Sequence, residues 1–127
     1  MAKDFDFSGI WHSTYHFTST AKPGNFTSEY DVKMLKTGNQ LVVQSLPNEG
    51  GSYILLRLTV DGRILTGTWH EQTEPEGDFK GATYYGALQL VVAEDGQAIT
   101  GQYVVCNRKF QIQSGIWKMV RTDKKED

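Results

Sequence analysis

Few side chains in this sequence are typed and spaced for chemistry. His12 and His16 stand four residues apart in an alternating run. On a strand that spacing is about 13 Å, too far for one metal ion to bridge. His70 has the parity of a residue pointing away from its apolar neighbours. Cys106 also has outward parity and no evident activating partner. The acidic stretch "EPEGD", Glu74 to Asp78, could gather cations but has the composition of a solvated loop. There is no phosphate-binding glycine loop, no G-x-S-x-G and no H-E-x-x-H. No catalytic residue, metal site or cofactor is assigned, and the chain is expected not to be an enzyme. Glu71 is the most informative polar residue. It follows Trp69 by two positions and shares its face. An inward carboxylate needs a partner or water. Near a rim it would be hydrated, or it would touch a ligand.

The rings near Glu71 belong to a recurrent pattern. "DGRILTGTW" from Asp61 and "DGQAITGQY" from Asp95 both read D-G-x-x-[IL]-T-G-x-[WY]. Gly-x-aromatic occurs again as "GIW" at Gly9 and at Gly115. A glycine two residues before a ring lies on the same strand face and leaves a gap that a neighbouring strand's side chain can fill. The rings are therefore packing elements, ligand wall, or both.

The elements that must position them are strands. The chain has 127 residues and a formal charge of −2. That suggests one domain, over 1–121, with a charged tail at 122–127. The charge favours neither nucleic acid nor an acidic membrane surface. A single cysteine excludes an internal disulfide and suits a reducing compartment, so a cytoplasmic location is expected. No apolar run reaches the roughly 20 residues of a membrane-spanning helix. No signal peptide is visible at the N-terminus.

Turn signals separate eight alternating or β-branched runs, about 8–18, 25–36, 40–46, 51–60, 63–73, 80–93, 97–106 and 109–121. Gly38-Asn39, Asp61-Gly62 and Asp95-Gly96 suit tight hairpins. "STAKPG", "PNEGG" and "EPEGD" are looser. Tight and loose links alternate, so a meander would have one closed end and one end ringed by loops. Eight short strands remove their edges by closing. The expected fold is all-β, an eight-stranded antiparallel up-and-down barrel, with an open two-sheet sandwich as the alternative.

Parity sorts the faces. Trp11, Ser13, Tyr15 and Phe17 point inward, as do Phe26, Ser28, Tyr30, Val32 and Met34. Tyr84, Leu88, Leu90 and Val92 follow, then Ile99, Gly101, Tyr103 and Val105. The last strand is ambiguous, and a bulge near Ser114-Gly115 would place Phe110, Ile112 and Trp117 all inside. Ile10, Val42, Tyr53, Leu55 and Tyr85 have outward parity.

A first-strand G-x-W with a basic residue ending the last strand resembles the calycin signature shared by lipocalins, fatty-acid-binding proteins and avidins. The resemblance implies that Trp11 closes the barrel base and Arg121 packs across it. "LTGTW", and "GQYV" followed by "IQSGIW", are similar to strands of the avidin family, where the matching rings line the ligand pocket. That implies pocket roles for Trp69 and Trp117. Ser13 and Glu71 stand where that family has a hydrogen-bonding asparagine and serine, and Ile99 where it has a tryptophan. The implied fold is a calycin-like barrel and not a biotin binder.

The expected ligand-binding residues are Ser13, Tyr15, Tyr30, Trp69, Glu71, Tyr84, Tyr103 and Trp117. They would hold a small hydrophobic or aromatic ligand under the loops at 19–24, 47–51 and 74–79, in a carrier or sensor. The alternative is a filled barrel acting as a protein–protein interaction module, with the outward apolar residues as a partner or homodimer surface.

Overall fold

The computed structural model describes residues 5–18, 25–77, 81–106 and 109–122. The loop at 19–24, residues 78–79 of the 74–79 loop and the tail beyond Thr122 lie outside the described residues. The strands are β1 Ile10–Thr18, β2 Asn25–Thr37, β3 Gln40–Ser45, β4 Tyr53–Asp61, β5 Ile64–Gln72, β6 Thr83–Val92, β7 Ala98–Cys106 and β8 Ile112–Arg121. No helix occurs among the described residues. Each strand pairs antiparallel with the next, and β1 pairs with β8, which closes the barrel. The two-sheet alternative is excluded. Gly38, Gly62 and Gly96 have φ of 62°, 60° and 73° at the three tight turns, a region where a side chain would strain the backbone. Strand ends differ most at β6 and β8, which start at Thr83 and Ile112 and not near 80 and 109.

The expected bulge in β8 is absent. Its register with β7 runs unbroken from Ala98↔Val120 to Cys106↔Ile112. Trp117 and Met119 point inward, while Phe110 is 89 % exposed and Ile112 and Ile116 are also exposed. Gly115 serves another purpose: Tyr103 lies directly across from it. A Cβ on Gly115 would lie 2.7 Å from the Tyr103 ring. The exchange is reciprocal, because Gly101 lies across from Trp117. Two antiparallel Gly-x-ring segments thus each supply the gap for the other's ring. β5 and β6 repeat the device, with Trp69 across from Gly86 and Gly67 across from Leu88. Gly9 does not belong to this scheme. Nothing lies within 4 Å of its would-be Cβ, and its φ of 90° is the reason for glycine there.

The base is sealed by Trp11, which is 0 % exposed. The Arg121 guanidinium carbon lies 4.2 Å from the centre of the Trp11 ring. Arg121 donates to the carbonyls of Ser8 (2.6 Å), Gly96 (3.1 Å) and Asp6. The Trp11 indole N–H donates to the Phe7 carbonyl at 3.1 Å. Phe7 joins the core and Phe5 packs against it. Ile10 had outward parity but is buried, where Thr122 bonds its carbonyl through both N (3.0 Å) and Oγ1 (2.8 Å). Of the other outward residues, Tyr53 and Tyr85 are exposed, and Val42 and Leu55 are half-buried.

His12, on the outer face of β1, has Nδ1 3.0 Å from Asp31 and Nε2 3.5 Å from Glu29. The bond to Asp31 chiefly raises its pKa above 6.5. A raised folded-state pKa stabilises fully below the unfolded value and is lost as pH climbs through the folded one. Stability should therefore fall as pH rises beyond 6.5. Urea denaturation at stepped pH should show that decline shrinking in Asp31→Asn. An unchanged slope would mean that His12 is not its source.

Candidate functional site

The interior above the base is built from rings. Tyr15, Trp69, Tyr103 and Trp117 come from β1, β5, β7 and β8, and all six pairs among them are in contact. Centroid separations run from 4.5 Å for the stacked Tyr15–Trp117 pair to 5.6 Å for Trp69–Tyr103 and Tyr103–Trp117. The other five pairs all meet edge-on or tilted, which aligns ring edges with ring faces favourably. Four rings in mutual contact fill their level of the barrel. They form a floor of rings between the sealed base and the loop end.

The polar ends of these rings are all committed. The Trp117 N–H donates to Ser13 Oγ at 2.9 Å. The Trp69 N–H donates to the Val104 carbonyl at 3.3 Å. The Tyr103 hydroxyl donates to the His16 carbonyl. Ser13 is buried and works as the acceptor that orients an indole.

Glu71 lies on this floor. It was expected near the rim, hydrated or in contact with a ligand, but it is only 5 % exposed. Its carboxylate accepts hydrogen bonds from the hydroxyls of Tyr15, Tyr30 (2.6 Å) and Ser28 (2.9 Å). In an eight-membered ring of strands, β1 and β5 are opposite each other. The Tyr15–Glu71 bond therefore crosses the barrel like a bar. Burial and then the Glu71 charge raise all three nearby phenols, Tyr103 to about 12 and Tyr15 and Tyr30 further. The phenols remain protonated donors at any ordinary pH. No ion pair to Glu71 occurs among the described residues.

Above the bar the lining changes. Phe17, Phe26, Ser28, Tyr84, Val105 and Gln113 have inward parity yet are only half-buried. Phe17 and Phe26 stack at 5.5 Å. Tyr84 is directly across from Glu71 in the register but outside its set of hydroxyl donors. Among the described residues, the side chains at the loop end are half-buried, whereas Trp11 at the base is fully buried.

Of the eight expected site residues, the structure gathers Tyr15, Tyr30, Trp69, Glu71, Tyr103 and Trp117 into one network, with Ser13 beneath it and Tyr84 beside it. Ser28 was missed. Its signal was its place between Phe26 and Tyr30 on the inward face of β2. Among the described residues no group of three or more His, Cys, Asp or Glu side chains could hold a metal. His16 and Cys106 are exposed. No family model matches this chain, and no curated protein matches it.

Proposed function

We propose that this barrel is a calycin-like small-molecule binder, a carrier or sensor rather than an enzyme. An apolar or aromatic ligand would enter at the loop end and rest on the Tyr15–Trp69–Tyr103–Trp117 floor. The observation that carries this is Glu71. A buried carboxylate without a counter-charge costs several kcal/mol of desolvation, which an apolar residue of similar size would avoid. Glu71 accepts the Tyr15, Tyr30 and Ser28 hydroxyls, a task a neutral acceptor could share without the cost of burying a charge. An aromatic surface with a few convergent polar groups, beneath half-buried side chains, is how ligand sites are built.

The test is a thermal-shift screen of small aromatic compounds on the wild type and on Tyr84→Ala at the mouth. A ligand at 100 times its Kd stabilises by about 2.7 kcal/mol through mass action. Hits should raise the wild-type Tm and raise the variant's clearly less. Equal stabilisation of both, or no hits, removes the pocket.

The second reading is an interaction module. On the outer face, His70 lies 5.9 Å from the Tyr53 ring and 5.8 Å from the Tyr85 ring, forming an aromatic row across β4, β5 and β6. A homodimer through that row would be seen by sedimentation and lost in Tyr85→Ser.

A further inference from the structure

We propose that the ligand carries a positively charged amine, an ammonium head on an apolar or aromatic body, an inference that rests on the pocket proposed above. The reason is the direction of the hydrogen bonds. Tyr15, Tyr30 and Ser28 each give their hydroxyl proton to Glu71. Tyr103 gives its own to the His16 carbonyl. Both indole N–H groups of the floor are spent, on Val104 and Ser13. A hydroxyl that has donated its proton still offers oxygen lone pairs. An ionised carboxylate has about four acceptor positions, and three hydroxyls fill three of them. At Glu71 the network therefore offers an incoming group acceptor capacity only, while the Tyr84 hydroxyl and the Gln113 amide stand nearer the mouth. A group that reaches Glu71 must bring the donor.

Charge points the same way. Glu71 has no cationic partner among the described residues. Arg121 is at the sealed base, held by three backbone carbonyls and stacked on Trp11. A carboxylate or phosphate ligand would meet Glu71 as a like charge, with no cation among the described residues paired to Glu71 to offset it. An ammonium would meet a carboxylate and ring faces together. Cations are attracted to the faces of Trp and Tyr, and more strongly when desolvated. A neutral alcohol could supply one donor but would gain neither the charge nor the ring-face attraction. A tight binder would also hold its apolar body against the half-buried Phe17, Phe26 and Tyr84.

The experiment uses the full chain, labelled with nitrogen-15, and follows the Trp69 and Trp117 indole N–H signals by NMR. Three probes of similar shape are titrated: phenethylammonium, 2-phenylethanol and 3-phenylpropionate. In the wild type, phenethylammonium should shift both indole signals and bind about tenfold tighter than the alcohol, a difference of one decade in Kd. The propionate should bind weakest. Glu71→Gln keeps the shape and removes the charge, so it should reduce the ammonium to the level of the alcohol. Gln102→Ala, exposed on the outer face of β7, leaves the carboxylate and its donors in place and should preserve the ammonium preference. If ammonium and alcohol bind the wild type equally, or Glu71→Gln retains the preference, charge selection is overturned while the pocket stands. If no probe moves either indole signal, the pocket and the inference fall together. Should Glu71→Gln not fold, the order of the three probes on the wild type and on Gln102→Ala decides alone.

Discussion

Trp11→Ala is expected to lose about 3–5 kcal/mol of stability, the range for truncating a large buried aromatic. Three losses combine. The indole is fully buried, and its removal opens a cavity at the barrel floor. The Phe7 carbonyl loses its donor. The Arg121 guanidinium loses the ring beneath it, an interaction worth roughly 0.5–2 kcal/mol depending on desolvation. Urea denaturation of wild type and variant measures the difference. Trp11→Phe keeps a ring under Arg121 and loses the N–H, so it should fall between the two. A Trp11→Ala loss under about 1 kcal/mol, far below that range, would show that Trp11 is not the base plug.

Gly86→Ala should destabilise by about 3 kcal/mol, the upper end of the range for overpacking. The sign is informative by itself. Where the backbone tolerates it, Gly→Ala stabilises by about 0.4–1 kcal/mol because the unfolded chain loses freedom. At Gly86 a Cβ would lie 1.9 Å from the Val104 carbonyl oxygen and 2.6 Å from Trp69 Nε1. One of those obstacles is backbone, so β6 and β7 must separate or the Trp69 indole must move. Either shift disturbs the bond from Trp69 to Val104. Thermal or urea unfolding checks it. A variant as stable as the wild type would mean that the paired strands give way easily and that the glycine–ring pairing does not set the packing.

Much of the barrel was legible because turn chemistry is local. Gly38, Gly62 and Gly96 mark hairpins whatever the rest of the chain does. Alternation then assigned inward faces correctly for Tyr15, Tyr30, Trp69 and Tyr103. β8 defeated it, because Ile112 and Ile116 compete with Trp117 and Met119 on opposite faces. Only the pairing with β7 decides between two apolar faces. The depth of Glu71 was not legible for a different reason. Its parity was readable, but its depth depends on which residues reach it across the interior. Tyr15 and Tyr30 come from strands far away in sequence, and their reach depends on strand tilt. The base hid a further contributor, Phe7, in a short alternating segment ahead of β1.

The closing seam between β1 and β8 has a consequence for how the chain is made. Of the eight strands, β1 is made first and waits longest for its second neighbour. β1 can pair with β2 early, but its other edge has no partner until β8 emerges. Until then Trp11, the ring that will seal the floor, has no Arg121 to cover it. A chain that still lacks β8 leaves one edge of β1 and one edge of β7 without their native partner, and unpaired edges are prone to joining another chain. Synthesis of the last ten residues of the barrel is thus the step that converts a sticky sheet into a closed one. The strand that ends this exposure also carries Trp117, so the same event completes the ring floor.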